Sequence, residues 1–396
     1  MVVCSSTPFP VTTGGRKRSL RLLEAMERAG VRPHILIPRR LRPEDESSAR
    51  AEAELRGWPL EDLPYPPDSA VSRIRLHARQ EMNRHSARLV SRLGELGRTA
   101  VVTQFEEITA MQYVKAAPRH IPAVVSPYNV DSAVEAALAR HVTPSWARAR
   151  SAYRARRVRA TERRGARRAD VVICVSRHDR DYFHDRGARN AVVIPNGVDD
   201  DLFDVPLEPP NCPRLLFFGA FGWQPNAAGM IRYLRDVWPR VLRELPDAEL
   251  RVAGSGTVEA ISAAASETAG VKLLGFVPDL LGELRSARAV VAPLWVGGGT
   301  RIKVLEALAA ARPVVGTSVA VEQIGFEHDC HGLIADDPDA LAKATLRLLL
   351  DDESAHRYAR NARTLAERYR WRTVTTPLEE IYAEFIERRR RLPTLV

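Results

Sequence analysis

The sequence predicts an α/β protein made of two domains, each built around a doubly wound parallel sheet. Short runs rich in β-branched residues alternate with longer helical patterns along all 396 residues, which is typical of parallel strands joined by crossover helices. The runs are apolar at successive positions, as expected of strands that helices cover on both faces. A chain of this length suits two domains of roughly 150 to 200 residues, each long enough to bury its own core.

The predicted strands form two series, one in each half of the chain. Those of the first half are Met1–Ser5, Ala100–Gln104, Ala123–Ser126, Val171–Ser176 and Ala191–Pro195. Those of the second half are Arg214–Gly219, Glu249–Gly254, Val271–Gly275, Arg288–Pro293, Pro313–Gly316 and Gly332–Ala335. The polar, proline-containing region from Leu41 to Pro67 is predicted to be an insertion with irregular or short helical structure. Ligands of such domains bind beyond the carboxyl ends of the strands, so functional residues are expected in the loops that follow these runs.

Turn-forming residues mark the boundary between the domains. Pro195 to Asp199 reads Pro-Asn-Gly-Val-Asp, and a proline-rich segment follows from Pro206 to Pro213. Neither segment is suited to continue a strand or a helix. The sequence therefore predicts an N-terminal domain over 1–196, a C-terminal domain over 197–372, and a last helix over 373–396 that packs back on the N-terminal domain.

Composition and cysteine use bear on where the protein works. Hydrophobic residues make up 45% and charged residues 27% of the chain, so we expect a folded protein rather than a disordered one. No apolar run approaches the roughly 18 to 20 residues of a membrane-spanning helix, and no secretory signal is visible at the start. The cysteines are scattered without paired spacing and are expected to be reduced core thiols: Cys4, Cys174, Cys212 and Cys330. These features predict a cytoplasmic protein.

The chain is basic, with a net charge of +10 and a pI near 9.8, which favours anionic partners. Ten arginines fall between Arg148 and Arg168 in a stretch of helical character. Two interpretations stay open. The stretch is either a solvated helix face or a contact with a polyanion or a membrane surface, which would bring the protein to the inner face of the membrane. Nucleic-acid binding rests on charge alone and is not predicted.

A glycine-rich run in the second half predicts an anion site. A strand ends near Pro293, three glycines occupy 297–299, and Thr300 is suited to cap the helix that follows. Glycines let a phosphate approach the backbone, and the start of a helix offers free N–H groups and the positive end of its dipole. Gly298, Gly299 and Thr300 are therefore predicted to bind the ligand.

Charged residues follow these glycines at once. Arg301 and Lys303 put two cations in the first turn, where the helix dipole disfavours them unless an anion is present. Glu306 lies three residues after Lys303 on the same helix face, and a carboxylate there is suited to accept hydrogen bonds from ribose hydroxyls. The alternative is a surface ion pair between Lys303 and Glu306 beside a tight turn.

With these residues the chain resembles the retaining glycosyltransferases of the GT-B architecture, the large group 1 or family 4 type, in which two Rossmann-like domains face an interdomain cleft. That family usually carries two glutamates separated by seven residues, and Glu306-Ala307 matches the second. The first falls at Gly298, so the carboxylate that contacts donor sugar hydroxyls in the family is missing. A subgroup of the family resembles this chain in having Gly-Gly-Gly-Thr-Arg instead.

Other short motifs match the family in order along nearly the whole chain. They are Val175-Ser176 with Asp179, Ile194 to Asp199 with Phe203, Phe218-Gly219, Val252 to Gly256, and Leu274 to Asp279. In the family the last of these contacts the base of the donor, which implies that role for Phe276 and Val277. Each motif is weak alone, and their order carries the resemblance.

One departure concerns the diphosphate. Many family members carry an Arg and a Lys shortly after the glycine that matches Gly219, whereas the segment from Gly219 to Asn226 contains no cation. Gly219 is still expected at the donor site. The charge must come from elsewhere, and Arg301 and Lys303 are the predicted substitutes.

A second glycine pair lies in the first half, after the first strand. Gly14 and Gly15 stand at a strand-to-helix turn, ahead of a helix that ends at Gly30, and they resemble the family loop that approaches donor and acceptor. A plain tight turn is the alternative. Arg16 and Arg18 are expected either to contact a phosphate or the acceptor, or to face solvent.

The segment from Ser126 to Ser132 takes the place of a family segment that carries a histidine. That residue is Tyr128 here, and a phenol with a pKa near 10 cannot replace the proton chemistry of histidine at neutral pH, although it can donate a hydrogen bond. Tyr128 and Asn129 are predicted to line the site, with a structural loop as the alternative. Glu162, which matches a family glutamate, is expected to be structural.

The resemblance implies an enzyme that moves a sugar from a UDP- or GDP-type nucleotide donor to an acceptor with retention of configuration. In such enzymes the leaving diphosphate takes the acceptor proton, and the protein supplies positioning and charge. No dense cluster of metal ligands is visible in the sequence, so neither a metal nor another cofactor is predicted. The acceptor stays open among a glycan, a lipid-linked molecule and a small molecule.

Two other functions stay open. One is a GT-B relative that acts as a nucleotide-sugar epimerase or as a pseudo-glycosyltransferase on sugar-like cyclitols. The other is a sugar-nucleotide-binding protein that lost catalysis with the first glutamate and the histidine. Slow hydrolysis of a nucleotide sugar would support the transferase, and tight binding without turnover would support the binding protein.

Overall fold

The computed structural model describes residues 1–64, 86–139, 145–256, 259–297 and 301–391. The chain divides into two compact units. Unit 1 comprises Met1–Pro195 and the segment that begins at Thr375, and unit 2 comprises Asn196–Val374. The chain passes from one unit to the other within the Pro-Asn-Gly-Val-Asp segment and again inside the last helix.

A parallel sheet forms the centre of unit 1. Its strands, in the described part of the chain, are β1 Val2–Cys4, β2 Ile35–Ile37, β3 Leu60–Asp62, β4 Thr103–Glu106, β5 Ala123–Ser126, β6 Val171–Cys174 and β7 Ala191–Val193. They lie in the order β3-β2-β1-β4-β5-β6-β7, and the neighbouring pairs are parallel. The strand order reverses between β1 and β4, which is where doubly wound sheets bind ligands.

Helices connect these strands. They are α1 Gly14–Arg28, α2 Pro43–Leu55, α3 Ala87–Leu96, α4 Glu107–Met111, α5 Asp131–Ala139, α6 Ser145–Arg168 and α7 Arg177–His184. The first of them ends as predicted, because Gly30 adopts φ +83°, a left-handed conformation that glycine reaches without strain. The predicted strand Ala100–Gln104 is displaced toward its C-terminal side, since β4 starts at Thr103 and continues to Glu106.

The region from Leu41 to Pro67 was predicted to be an insertion with irregular or short helical structure. The described residues do contain a helix, but the prediction of an insertion was wrong, because helix and strand both belong to the regular fold. Pro43 occupies the first turn of α2, where its missing N–H costs nothing, and three acidic residues follow it at the positive end of the helix dipole. β3 then pairs with β2 at the edge of the sheet. The region is a regular α–β segment of the fold. The part from 65 to 67 lies outside the described residues.

A second parallel sheet forms the centre of unit 2. Its strands among the described residues are β8 Arg214–Phe218, β9 Glu249–Ala253, β10 Val271–Gly275, β11 Ala289–Ala292, β12 Val314–Gly316 and β13 Gly332–Ile334. Their order is β10-β9-β8-β11-β12-β13, again with parallel neighbours. The strands predicted for the second half are all present, within one or two residues at their ends. The α/β class with two doubly wound parallel sheets is thereby confirmed.

The helices of unit 2 cover both faces of its sheet. They are α8 Gln224–Asp236, α9 Trp238–Glu244, α10 Glu259–Ser266, α11 Leu280–Ser286, α12 Ile302–Ala309, α13 Ser318–Val321, α14 Pro338–Leu350 and α15 Asp352–Ala366. Alternate residues of β8 enter opposite cores, with Leu215 and Phe217 in one and Leu216 and Phe218 in the other. Burial on both faces explains the continuous apolar runs in the sequence.

The last helix, α16 Trp371–Arg391, spans the second crossing between the units. Its residues Leu378, Tyr382 and Phe385 are buried in the same core as Val2 and Ile35 of unit 1. The segment beyond Thr375 therefore contributes to the hydrophobic core of unit 1 rather than to its surface.

Candidate functional site

The first candidate site lies in unit 2, where β8 ends. Gly219 follows this strand with φ +153°, a conformation that disfavours any residue with a side chain. A Cβ atom built on Gly219 would lie 3.0 Å from Lys303 Nζ and 2.9 Å from Asn226 Nδ2. The absence of a side chain at Gly219 is what lets the lysine reach the end of the strand. Gly219, Asn226, Lys303 and Glu306 are called the lysine site below.

Lys303 is the second residue of α12. Its Nζ donates a hydrogen bond to Asn226 Oδ1 at 2.6 Å and lies 4.2 Å from the centre of the Phe217 ring. Asn226 in turn donates from Nδ2 to the carbonyl oxygen of Ala220 at 2.8 Å. Desolvation of the ammonium group and, second to it, the charge of Arg301 lower the pKa of Lys303, Glu306 acts in the opposite direction, and the resulting pKa is about 7. The structure thus places the ammonium of Lys303 beside the segment from Gly219 to Asn226, which contains no cation of its own.

Glu306 lies one turn further along α12 and is 6% exposed. Its carboxylate is close enough to the ammonium of Lys303 to favour the charged form of the lysine. The sequence predicted both residues on one helix face, and they do lie together. An exposed surface ion pair, the alternative, does not describe a glutamate this deeply buried.

Arg301 takes a different direction. It occupies the N-cap position of α12, so the capping position is one residue later than the predicted Thr300. Its guanidinium is buried, donates from Nη2 to the carbonyl oxygen of Val319 at 3.3 Å, and approaches Glu322 to 3.7 Å. A Cβ on Gly297 would lie 2.7 Å from the same nitrogen. Arg301 is therefore committed in part to contacts within unit 2.

The remaining predicted donor-site residues of unit 2 fall into two groups. Phe276 follows β10 with 55% of its surface exposed, and Val277 beside it is half-buried against the core. The exposed ring of Phe276 is suited to stack on a planar group. Gly298, Gly299 and Thr300 lie outside the described residues, and their predicted role stays a prediction.

The second candidate site lies in unit 1 at the carboxyl ends of β1, β4 and β5. Gly14 and Gly15 are the first residues of α1, whose N-cap Thr13 accepts a hydrogen bond from the backbone N–H of Arg16. A Cβ on Gly15 would lie 3.4 Å from Tyr128 Cε2 and 3.6 Å from Glu107 Oε1. Gly15, Glu106, Glu107 and Tyr128 are called the tyrosine site below. The start of α1, the ring of Tyr128 and the carboxylates of Glu106 and Glu107 lie together at this site.

Tyr128 directs its hydroxyl group inward. The phenol donates a hydrogen bond to Glu106 Oε2 at 2.7 Å, and the phenol oxygen, Tyr128 Oη, is also hydrogen-bonded to Ser19 Oγ. Burial raises the pKa of Tyr128 well above 10, and the charges of Glu106 and Glu107 raise it further. The ring edge, not the hydroxyl, is what Tyr128 presents beside Gly15. Asn129, the next residue, is partly exposed.

Sequence reasoning missed two consecutive glutamates, Glu106 as the last residue of β4 and Glu107 directly after it. Glu106 is fully buried and accepts a second hydrogen bond from Gln104 Nε2 at 2.5 Å. Burial raises the pKa of Glu106 to about 7, while the bond from Tyr128 and the charge of Arg18 lower it. Glu107 adopts φ +67°, which is rare for a residue with a side chain and is found at functional sites. Two carboxylates in succession, after the apolar Val101-Val102 of the predicted strand and the Phe105 that follows it, were the available signal.

The arginines of α1 are engaged inside unit 1. Arg16 pairs with Asp45 at 2.5 Å and donates to the carbonyl oxygen of Pro10 at 3.0 Å. Arg18 is 1% exposed and donates to the carbonyl oxygens of Ile194 and Pro195 at 2.8 and 3.2 Å. The expectation that Arg18 contacts a phosphate or faces solvent is wrong, because its guanidinium binds the end of the strand-to-linker segment. For Arg16 a ligand contact would compete with the Asp45 pair.

Glu162 has the structural surroundings that the sequence suggested. It is fully buried on α6, and its two oxygens accept from the backbone N–H of Ser132 at 3.0 Å and from the hydroxyl of Tyr182 at 2.6 Å. The first of these bonds satisfies a free N–H at the start of α5. Glu162 ties α5, α6 and α7 together.

The basic helix α6 presents an arginine-rich face. The exposed arginines on it are Arg148, Arg150, Arg154, Arg156, Arg159, Arg163, Arg164 and Arg167. Arg154 pairs with Glu135 at 2.8 Å, and Tyr153 is 57% exposed among them. In the part of the chain that the structure describes, no helix is both long and apolar enough to cross a membrane, and no group of three or more His, Cys, Asp or Glu residues is arranged to hold a metal ion.

Family models match both halves of the chain. Residues 12–202 match the model of Glycosyltransferase Family 4, and residues 212–351 match that of Glycosyl transferases group 1. The matched segments contain the tyrosine site and the lysine site, respectively.

Several relatives of similar sequence carry the same name. The phosphatidyl-myo-inositol mannosyltransferase of Mycolicibacterium smegmatis is 32% identical over 202 residues, which are 49% of this chain and 52% of that protein. The enzyme of the same name from Mycobacterium tuberculosis is 29% identical over 206 residues, 49% of this chain and 54% of that protein. The chain thus spans about half the length of the curated relatives that it matches.

Solved structures match over nearly the whole length. Sucrose-phosphate synthase from Thermosynechococcus elongatus has a TM-score of 0.70 at 16% identity and covers 98% of this chain and 99% of its own. Anabaena Alr3699/HepE, in complex with UDP and glucose, has a TM-score of 0.66 at 15% identity, with coverages of 96% and 98%. At these identities the likeness concerns the fold, and the fold is GT-B.

Proposed function

The chain belongs to the group 1 glycosyltransferases, and from this membership we propose that it transfers a sugar from a nucleotide-sugar donor to an acceptor. We further propose that the transfer retains the anomeric configuration and needs no metal ion. The observation that carries the proposal is the lysine site, where the ammonium of Lys303 lies at the carboxyl end of β8 beside Gly219. A cation in this position suits the diphosphate of a donor.

The chemistry of the diphosphate supports this assignment. Negative charge becomes concentrated on the leaving phosphate as the bond from the sugar C1 to the phosphate oxygen breaks. Lys303 supplies positive charge, and the N-terminal turn of α12 adds free backbone N–H groups and the positive end of a helix dipole. Arg301 at the N-cap adds a second cation, shared with its contacts to Val319 and Glu322.

The other parts of the donor have candidate partners in unit 2. Glu306 is a buried carboxylate one turn beyond Lys303, suited to accept hydrogen bonds from two ribose hydroxyls. Phe276 offers an exposed ring for the base. The UDP seen with one solved GT-B protein and the mannosyltransferase name of the sequence relatives favour different donors, a uridine and a mannose donor. Both UDP- and GDP-sugars therefore belong in the test.

The acceptor is proposed to bind to unit 1 at the tyrosine site. The ring of Tyr128, the carboxylate of Glu107 and the Gly14-Gly15 start of α1 offer one apolar and two polar surfaces to a hydroxyl-bearing molecule. The relatives are named for a lipid acceptor, and the exposed arginines of α6 are suited to anionic headgroups. A lipid-linked acceptor at a membrane surface is the first class to test, ahead of glycans and small molecules.

The proposed reaction needs no protein nucleophile. The bond between the sugar C1 and the diphosphate oxygen breaks, and a bond from C1 to the acceptor oxygen forms on the same face of the ring. The acceptor proton passes to the leaving phosphate oxygen. The protein contributes positioning and fixed charge, and Lys303 is the residue that faces the charge as it develops.

A binding panel followed by turnover tests the proposal. A nucleotide sugar at 100 times its Kd should add about 2.7 kcal/mol of stability, which raises the melting temperature of a unit of this size by roughly 5 to 11 °C. Lys303→Met should abolish the shift, and Lys343→Met, on the exposed face of α14, should keep it. NMR of the product, or of the sugar released by slow hydrolysis, reports the anomeric configuration. Inversion, or a requirement for added metal, would reject the finer proposals.

Two departures from the family favour a second candidate, a sugar-nucleotide-binding protein without transfer or an epimerase or pseudo-glycosyltransferase. Gly298 stands where the family has its first glutamate, and Tyr128 stands in place of its histidine. Product analysis separates the candidates. An epimerised nucleotide sugar, a cyclitol-coupled product, or binding without turnover in the presence of a broad acceptor set would each support the second candidate over the transferase.

A further inference from the structure

We infer that Asn226 is a positioning residue for Lys303, and that through this pair the binding of a nucleotide sugar is coupled to proton uptake from solution, which approaches one proton per donor at alkaline pH. The inference rests on the proposed function, because it assumes that the lysine site binds a diphosphate. The inference goes beyond the proposed function in two ways. It assigns a role to a side chain outside the glycine-rich segment, and it states the charge of Lys303 before and after the donor binds.

The side-chain amide of Asn226 is fixed at both ends. Its Nδ2 donates to the carbonyl oxygen of Ala220 at 2.8 Å, which turns Oδ1 toward Lys303 Nζ at 2.6 Å. Asn226 lies in the first turn of α8 and is 5% exposed, so packing restricts its rotamer as well. The amide therefore connects the loop after β8 to the start of α12 and sets where the lysine nitrogen lies.

The partner that Asn226 offers is polar but uncharged. Among the residues that the structure describes, the groups around the lysine nitrogen are this amide, the ring of Phe217 at 4.2 Å and the backbone at Gly219, with Arg301 and Glu306 as the charged residues that act on it. An ammonium in such surroundings has lost water and gained little opposite charge. This lowers the pKa of Lys303 to about 7. An uncharged partner fixes the position of the lysine nitrogen without forming an ion pair, so the positive charge of the protonated lysine stays available to a diphosphate.

Binding of a diphosphate reverses this balance, because two phosphate charges beside the nitrogen favour its protonated form. With a free pKa of about 7, about one-tenth of the molecules carry a charged Lys303 at pH 8 and about nine-tenths at pH 6. We therefore expect uptake of about 0.9 proton per donor bound at pH 8, about 0.5 at pH 7 and about 0.1 at pH 6. Above pH 7, donor affinity should fall up to tenfold for each pH unit.

Isothermal titration calorimetry measures this uptake directly. UDP-glucose and GDP-mannose are titrated into the full chain at pH 6, 7 and 8, each in two buffers of different ionisation enthalpy, such as HEPES and Tris. Nucleotide sugars are chosen over free diphosphates because their phosphates are esterified on both sides and lack the second ionisation near pH 6. The difference in heat between buffers, divided by the difference in ionisation enthalpy, gives the number of protons.

Variants separate positioning from structure. Asn226→Asp puts a carboxylate against Lys303, so the lysine stays charged, proton uptake at pH 8 should fall below 0.2, and donor affinity should fall at least tenfold. Asn211→Asp, the same change at an exposed position of unit 2, should leave uptake and affinity unchanged. Lys303→Arg keeps a charge that does not titrate and should bind donor without proton uptake at any of the three pH values.

An NMR titration of the free protein tests the role of Asn226 without a donor. In the free protein, the Cε resonance of Lys303, assigned by its loss in Lys303→Met, should titrate with a midpoint near 7 and move up by at least one pH unit in Asn226→Asp. Donor binding without proton uptake at pH 8, or a midpoint that Asn226→Asp does not change, would overturn the inference and leave the transferase proposal standing. Absence of binding by every nucleotide sugar would instead overturn the proposed function, and the NMR midpoint would still decide the role of Asn226.

Discussion

Replacing Glu106 with glutamine should change how the stability of the protein depends on pH. Glu106 is fully buried and its pKa is raised from the ordinary value of 4.5 to about 7, chiefly by burial. A carboxyl group whose folded pKa is raised binds a proton more tightly in the folded state than in the unfolded state. The contribution of Glu106 to stability is therefore largest at acidic pH and is lost as the pH rises from about 4.5 to about 7. Glutamine does not titrate, so this loss should disappear.

The size of the effect follows from the shift. A difference of about 2.5 pKa units corresponds to about 3 kcal/mol, of which about 2 to 3 kcal/mol falls between pH 5 and pH 8. Glutamine fits the site because its oxygen can accept from Gln104 while its amide NH₂ donates to Tyr128 Oη, whose proton then goes to Ser19. For a unit of about 200 residues, the melting temperature of Glu106→Gln minus that of the parent protein should increase by roughly 5 to 10 °C from pH 5 to pH 8.

Differential scanning calorimetry at pH 5, 6, 7 and 8 measures the gap between Glu106→Gln and the parent protein. Asp131, Glu107 and Glu135 also have raised pKa values, and they titrate in both proteins, so the comparison isolates Glu106. Glu54→Gln, at an exposed position of α2, serves as the matched control and should show no widening. A gap for Glu106→Gln that stays constant from pH 5 to pH 8 would refute the assignment of a buried, late-ionising carboxyl group.

Three further predictions concern both units. Glu306→Gln should weaken nucleotide-sugar binding by about 1.5 to 3 kcal/mol, because a charged hydrogen bond is lost, and unchanged affinity by calorimetry would count against the ribose contact. Sugar transfer or donor hydrolysis should survive excess EDTA, and loss of activity that Mg²⁺ or Mn²⁺ restores would show that a metal is needed. Gly229→Ala should lower stability by about 1 to 3 kcal/mol, since its Cβ would collide with the carbonyl oxygen of Pro293. Gly94→Ala, where the Cβ meets nothing within 4 Å, should be neutral or stabilising in a urea titration.

The strands were the most predictable part of the fold, because buried parallel strands need apolar residues on both faces and so form continuous runs. β11, Ala289–Ala292, is fully buried along its length and was read correctly. Two strands of unit 1 were missed. β2, Ile35–Ile37, is fully buried and apolar, but its run is only three residues long, between Pro33-His34 and Pro38. β3 is an edge strand, half-buried throughout, whose Leu-Glu-Asp sequence has no apolar run. Its glutamate instead pairs with Arg92 and His34, and pairs of this kind leave no periodic signal.

The candidate sites were predictable in position more than in composition. The sequence indicated Lys303 as the cation for the Gly219 loop, because charge placement in a helix turn is a local property. It gave no reason to choose Asn226, whose contact with Lys303 joins residues 77 positions apart. Nor did it indicate that the hydroxyl of Tyr128 bonds to Glu106 rather than to a ligand. Such partners are set by tertiary packing, which a single sequence does not display.

The last helix has a consequence for how the protein is made. A ribosome that has released Met1–Pro195 has produced most of unit 1, yet Leu378, Tyr382 and Phe385 of its core emerge only after the whole of unit 2. Unit 2 is continuous in sequence from Asn196 to Val374. During synthesis unit 2 can therefore complete its core first. Until the last helix has been made, the part of the unit 1 core that this helix covers stays exposed to solvent. A truncation before Leu378 would leave that surface open permanently, and we expect such products to be captured by chaperones.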